Sequence, residues 1–173
     1  VDSGLRRNDD FKKEKYIMDT PKLIPLNGGS AEASLKSLRE LELDTLARTL
    51  WGEARGEGSG GTQPVACVIL NRAAHAKKMG GYWWGNTILD ICHKPFQFSC
   101  WNKEDPNYRK LLSVDEDDVY FVTARRVATR GVLGFLKDTT QGATHYHARG
   151  ITPKWAIGKK PSAVIGRHIF YKL

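Results

Sequence analysis

The sequence predicts an α+β fold, mainly α, in which a helical core carries a small β-sheet or hairpin. Three observations predict it: an amphipathic stripe over Leu43 to Ala54, an apolar run over Val65 to Leu70, and short alternating segments near the C-terminus. At 173 residues the chain is long enough for one compact domain plus a tail, and a second full domain is not expected. The implied division is a polar tail or linker over residues 1–40 and a folded domain over residues 41–173.

Residues Val1 to about Arg39 are polar and irregular, with Pro21, Pro25 and Asn27-Gly28-Gly29-Ser30 as turn or linker material. Met18 is a candidate initiator within them. A short helical pattern of Leu35, Leu38 and Leu41 leads into the main helix. There, in LDTLARTLWGEARGE, the residues Leu43, Leu46, Ala47, Leu50, Trp51 and Ala54 recur at helical spacing and form one core-facing stripe. At roughly 100° of rotation per residue, Glu53 falls about 20° from Leu46, on the edge of that stripe. Glu57, if the helix reaches it, lies about 40° further round and within the stripe. A carboxyl at the rim of a core is partly stripped of water, which raises its pKa and suits it to act as a general acid near neutral pH. The competing reading is a rim glutamate paired with Arg48 or Arg55. Gly52, Gly56 and Gly58 leave room for something to approach the backbone there.

Thr62-Gln63-Pro64 reads as the start of the next helix, with Thr62 as N-cap and Pro64 in the first turn. Val65 to Leu70 make it a buried central helix, Asn71-Arg72 end its apolar run, and Gly80-Gly81 close it. Tyr82 to Tyr108 is loop-like, with Ile88 to Cys92 as its helical candidate. It interleaves Trp83, Trp84, Phe96, Phe98 and Trp101 with Asn86, Gln97, Ser99 and Asn102. Aromatic faces and amides together suit a sugar ring, although aromatics also serve to pin a long loop to its domain. Asp115 to Gly131 is a further helix, acidic at its start and carrying Arg125, Arg126 and Arg130 at its end, which complements the helix dipole. Ala143 to Ala148 and Ile165 to Leu173 alternate as strands do, with glycines and prolines between them. His145 and His147 share one strand face. A metal there would need a third ligand such as His168 or Glu53, so the reading preferred is hydrogen-bonding groups lining a cleft, with no metal and no cofactor.

The net charge of +8 points to an anionic partner: nucleic acid, a membrane surface or an acidic wall polymer. No basic recognition helix, zinc-finger spacing or RNP-like aromatic motif supports nucleic acid. Cys67, Cys92 and Cys100 are odd in number and form no disulfide framework or metal knuckle. Cys67 is expected to be packed in its helix, and Cys92 and Cys100 either pair in an oxidising compartment or stay thiols. No apolar run is long enough to span a bilayer, and no signal-peptide h-region is visible.

With these segments placed, the chain resembles the SleB-type cell wall hydrolase family, which includes the spore-cortex-lytic enzymes. The resemblance runs from about Leu43 to the C-terminus through LARTLWGEARGE, PVACVILNR, PFQFSCWN, GATHYHA, PKW and IGRHIFYK, in that order. It implies a lysozyme-like, mainly helical fold, with residues 41–173 as a catalytic domain that cleaves the bond between N-acetylmuramic acid and N-acetylglucosamine in peptidoglycan. It implies lytic transglycosylase chemistry, in which Glu53, or alternatively Glu57, is the acid and then the base, and the product carries a 1,6-anhydro ring. A muramidase-type hydrolase using a second carboxylate is the alternative, and a basic nucleic-acid-binding module is a more distant one. On the same reading Gln97, Phe98, Ser99 and Trp101 form one cleft wall and His145, Tyr146 and His147 the other. The implied partner is the peptidoglycan glycan strand, met by a monomer in the wall, the periplasm or outside the cell, with delivery like that of a phage lysin.

Overall fold

The computed structural model describes residues 30–173, so Met18 and the linker around Pro21, Pro25 and residues 27–29 lie outside the described residues. Helix α1 (Ala31–Ala54) begins at Ser30, whose hydroxyl accepts a hydrogen bond from the Ala33 N–H at 3.3 Å. The leading turns with Leu35, Leu38 and Leu41 are exposed and join the main helix without a break. The stripe behaves as its spacing predicts, since Leu43, Leu46, Ala47, Leu50, Trp51 and Ala54 are all buried. Burying a leucine-sized side chain contributes about 1.5–3 kcal/mol, so this one stripe fixes the orientation of the helix. The helix stops at Ala54, because Arg55 is extended (ψ 140°) and Gly56 takes φ +85°, a left-handed conformation that glycine adopts at little cost. Glu57 is therefore not on the stripe.

Helix α2 (Gly58–Met79) starts four residues before the expected Thr62. Thr62 is not its N-cap; the Thr62 hydroxyl donates back to the Gly58 carbonyl at 2.8 Å. Pro64 consequently sits inside the helix rather than in its first turn. It is tolerated there because the carbonyl it leaves unpaired belongs to Gly60, which is exposed to water. Gly80, at φ +71°, ends the helix as expected.

Helix α3 (Ile88–His93) opens on a capping box between Thr87 and Asp90. A short 3-10 turn (Ser99–Trp101) inside the loop-like stretch follows, and then helix α4 (Tyr108–Ser113), which starts at the end of that stretch. Helix α5 (Val119–Val132) begins later than expected: Asp118 is its N-cap, accepting from the Tyr120 and Phe121 N–H groups, and the acidic residues 115–117 precede the helix. Helix α1 packs against α5, α2 and α3 around the main core. None of the described helices is long and apolar enough to cross a membrane.

The sheet has strands β1 (His145–Ala148), β2 (Ala163–Ile165) and β3 (His168–Tyr171) in the order β1-β3-β2, all antiparallel. Strand β2 was not separately expected; it pairs with β3 through a turn in which Gly166 takes φ +56°. In the register Tyr146 lies opposite Phe170 and His147 opposite Ile169. Phe170, Val68 and Ala143 form a second small core that seats the sheet on α2. Tyr146 packs against both cores, and this carries the face of β1 over the end of α1. Cys67, Cys92 and Cys100 are buried free thiols.

Candidate active site

A cavity of about 650 Å³ opens where the last turn of α1, the middle of α2, the loop before α4 and strand β1 converge. Glu53 is the one carboxylate among the described residues that line it. The stripe of α1 sets its direction, and the turn at residues 99–101 packs directly against the same helical turn: a Cβ on Gly52 would meet the Cys100 Cβ at 2.5 Å and Sγ at 2.8 Å. Oε2 of Glu53 accepts a hydrogen bond from the Tyr146 hydroxyl at 3.0 Å across 93 residues of sequence. Its other oxygen, Oε1, is buried with no hydrogen-bond partner among the described residues. Removal from water raises the Glu53 pKa; Tyr146 and Cys100 beside it act in the opposite direction, and the charge of Asp105 adds to the rise.

Tyr146 is held by the stacked Phe170 ring at 5.8 Å and by the edge of His168 at 5.1 Å. Burial first, and the neighbouring Glu53 second, push its phenol pKa well up, so it stays protonated and donates. Arg72 projects from α2 into the same lining, with only 5% of its surface exposed. Its Nε donates to the Thr144 carbonyl at 2.7 Å and its Nη1 to Gln97 Oε1 at 2.9 Å, and the guanidinium lies over Trp84 and Phe98. Burial, and then the charge of Arg72, lower the His145 pKa to about 4, so its ring is neutral at pH 7. That ring sits between Trp84 at 5.9 Å and Trp155 at 5.3 Å.

The aromatics of the long loop divide into two groups. Trp84 and Phe98 are buried and pin the loop, Trp84 through a hydrogen bond to the Arg72 carbonyl. Trp83 and Phe96 remain exposed on the cavity, Phe96 to 91% and with its backbone at φ +64°. A left-handed conformation in a bulky residue costs about 1–3 kcal/mol, and exposing a phenyl ring adds to that cost, so folding alone does not account for Phe96.

Of the residues expected to line the cleft, Glu53, Gln97, Phe98, Ser99, His145 and Tyr146 meet in the cavity. Trp101 and His147 lie outside its lining. The Trp101 indole N–H donates to Thr49 Oγ1 at 2.9 Å, with the ring against His93, which turns it toward α1. His147 stacks on Tyr171 and its Nε2 sits 3.1 Å from the Tyr171 hydroxyl. Trp83, Phe96, Asn102, Trp155 and Arg72 also line the cavity. The first three belong to the aromatic and amide stretch, Trp155 to the PKW motif and Arg72 to the end of PVACVILNR, where it reads only as the close of an apolar run.

Residues 56–171 match the cell wall hydrolase family. The chain belongs to that family. Glu53 lies just before the matched span, and the other residues that line the cavity lie inside it. The chain is 28% identical over 151 residues to the spore cortex-lytic enzyme of Bacillus cereus, covering 86% of this chain and 50% of that one. It is 26% identical over 133 residues to the spore cortex-lytic enzyme of Bacillus subtilis, covering 75% of this chain and 37% of that one. It thus spans half or less of the length of these two relatives. Among solved structures it is similar to the catalytic domain of the germination-specific lytic transglycosylase SleB from Bacillus anthracis, with a TM-score of 0.58 and 27% identity over 84% of this chain and 98% of that one. The catalytic domain of Bacillus cereus SleB gives a TM-score of 0.58 at 26% identity, covering 84% of this chain and 94% of that one.

In this member of the cell wall hydrolase family Glu57 holds the fold together away from the cavity. Its Oε1 lies 3.5 Å from His168 Nδ1 and 3.7 Å from Arg167 Nε, and its Oε2 accepts the Arg167 backbone N–H at 3.3 Å. It therefore ties the start of α2 to the β2–β3 hairpin. Two glycines are required around it: a Cβ on Gly61 would collide with the Glu57 Cβ, and one on Gly166 would lie 2.8 Å from Oε2. With His168 directed at Glu57, no third ligand joins His145 and His147, and no group of three metal-ligating side chains occurs among the described residues.

Proposed function

We propose that this chain cleaves the bond between N-acetylmuramic acid and N-acetylglucosamine in peptidoglycan by lytic transglycosylation, with Glu53 as acid and then base. The observation that carries this reading is a solitary carboxyl, buried in an aromatic-walled cavity, with one oxygen held by Tyr146 and the other left without a partner. Because Tyr146 donates to Oε2, the proton of the neutral acid resides on Oε1, which is buried in the substrate-free protein and reaches the glycosidic oxygen when the carboxyl turns toward a bound glycan. The proton passes to the glycosidic oxygen as positive charge develops at the muramyl C1. The carboxylate then takes the proton from the C6 hydroxyl of the same sugar as that oxygen attacks C1, closing the anhydro ring without water. Tyr146 stabilises the carboxylate between the two steps, since its hydrogen bond strengthens when Glu53 is charged.

The Bacillus anthracis domain with a similar fold is a lytic transglycosylase, which supports this chemistry over hydrolysis. So does the position of Glu57: a hydrolase of the two-carboxylate kind needs a second acid facing the bond, and Glu57 is engaged by Arg167 and His168 outside the cavity. Phe96 and Trp83 at the cavity surface fit the apolar faces of sugar rings, and Gln97, Ser99 and Asn102 fit their hydroxyl and acetamido groups. The acting form in this reading is a monomer. The net charge of +8 favours retention on an anionic wall, the place of action this reading implies. We retain residues 41–173 as the catalytic unit, the ten residues 31–40 being an exposed extension of α1. The test is release of soluble muropeptides from purified sacculi: Glu53→Gln should abolish it in a protein that still melts cooperatively, and undiminished release would overturn the assignment.

A further inference from the structure

Arg72 stands out among the buried charges of the molecule. It is 5% exposed, lines the cavity that holds Glu53, and has no carboxylate within ion-pair distance among the described residues. A desolvated guanidinium without a counter-ion is costly, and such groups in native proteins are ordinarily paired. Two of its three nitrogens are committed, Nε to the Thr144 carbonyl and Nη1 to Gln97, which fixes the plane of the fork. Nη2 makes no hydrogen bond among the described residues and is not among the fully buried unpaired atoms, so it keeps contact with the cavity. The neighbouring His145 is neutral and Tyr146 stays protonated, so nothing beside Arg72 neutralises it.

We propose that Arg72 Nη2 is a binding group for an acyl oxygen of the substrate, the carbonyl or carboxylate of the lactyl ether on the muramyl sugar. This inference rests on the reading of the cavity as a glycan site and adds the residue that tells the muramyl sugar from its neighbour there. The lactyl ether is what distinguishes N-acetylmuramic acid from N-acetylglucosamine, and its acyl group is an acceptor whether it is a free carboxylate or is amidated by a stem peptide. A guanidinium donates to either form, more strongly to the carboxylate. Placed on the substituent at C3, the cation also stays off the C1 centre, where positive charge develops. The fixed fork makes Arg72 a specificity residue: lysine would keep the charge but lose the bonds that aim it.

The experiment titrates the Glu53→Gln protein, followed by NMR of its backbone amides, with three ligands: N-acetylglucosamine, N-acetylmuramic acid and N-acetylmuramyl-L-alanine methyl ester, an amide with no free carboxylate. The expected result is tighter binding of both muramyl ligands than of N-acetylglucosamine, by about tenfold for the free acid, the factor one charge-assisted hydrogen bond supplies. Arg72→Lys should erase that difference, with cooperative thermal melting as the check that the variant is folded. A preference for the free acid but not the alanine amide identifies carboxylate as the acceptor, and an equal preference identifies the shared carbonyl. Equal binding of all three ligands overturns the inference but leaves the glycan site standing. Absence of binding by any of them removes the glycan site and this inference with it.

Discussion

Replacing Tyr146 by phenylalanine removes one hydroxyl from the cavity and with it the hydrogen bond to Glu53 Oε2 at 3.0 Å. The phenyl ring keeps its stacking on Phe170 and its contact with His168, so the backbone of β1 has no reason to move. The bond matters most when Glu53 is ionised, after it has donated its proton, because the interaction is then charge-assisted. A hydrogen bond to a charged group contributes about 1.5–3 kcal/mol, which corresponds to about a ten- to hundredfold fall in kcat if it is realised mainly in the transition state. The pH profile moves in a defined direction. Tyr146 pulls the Glu53 pKa down against the effect of burial, so its loss lets that pKa rise further. As the acid must be protonated, the alkaline limb of kcat/KM shifts to higher pH while the maximum falls. The assay is release of soluble glycan from sacculi across a pH series, with thermal melting as the fold control. An unchanged kcat with an unmoved limb, or a limb moving to lower pH, would refute the role given to Tyr146.

Three further outcomes follow from the same geometry. Glu57→Gln should lower the melting temperature, reflecting about 1–3 kcal/mol for a buried carboxylate losing its charge-assisted hydrogen bond from the Arg167 N–H, while purified enzyme below the transition keeps its products; loss of catalysis in a stably folded variant would return Glu57 to the chemistry. Glu53→Gln should be at least as stable as the wild type, with a gap that widens as pH rises. The folded-state pKa of Glu53 lies above its ordinary value of 4.5, so its favourable contribution is present below that value and is lost as pH climbs through the raised one; a narrowing gap in melting scans would contradict the sign. Cys92, pushed up to about 12 by burial, and Cys100, raised further by burial and by Glu53, should resist a thiol reagent in the native protein and react after denaturation; rapid native labelling at either position would contradict their placement.

The cavity side of α1 was legible because a single helix obeys one period. Once Leu46 and Leu50 are assigned to the core, the rotation angle alone puts Glu53 at its rim. Glu57 was not separable from it, because the stop at Ala54 depends on Gly56 and Gly58 taking left-handed conformations, and glycine in a sequence permits that turn without requiring it. The start of α2 was misplaced for a related reason. Gly58, Gly60 and Gly61 read as a break, whereas Gly61 is small because the Glu57 side chain occupies the space its Cβ would take. Strand alternation put His145 and His147 on one face, but the packing of Tyr171 and Trp155 decides which of them reaches the cavity. The Tyr146 to Glu53 bond and the commitments of Arg72 to Thr144 and Gln97 join distant segments, and no local pattern encodes such meetings. The family motifs drew Glu53, Gln97 and Tyr146 into one cleft, whereas Arg72, the last residue of PVACVILNR, carried no role there.

The most direct test of a lone acid that becomes its own base is the mass of the products formed from sacculi in heavy-oxygen water. The account predicts muropeptides one water lighter than the hydrolysed species, carrying no label at the muramyl C1, and none of them from Glu53→Gln. Labelled, reducing-end muropeptides from the wild-type protein would contradict it, because water would then be the nucleophile that the cavity and its single carboxylate are argued to dispense with.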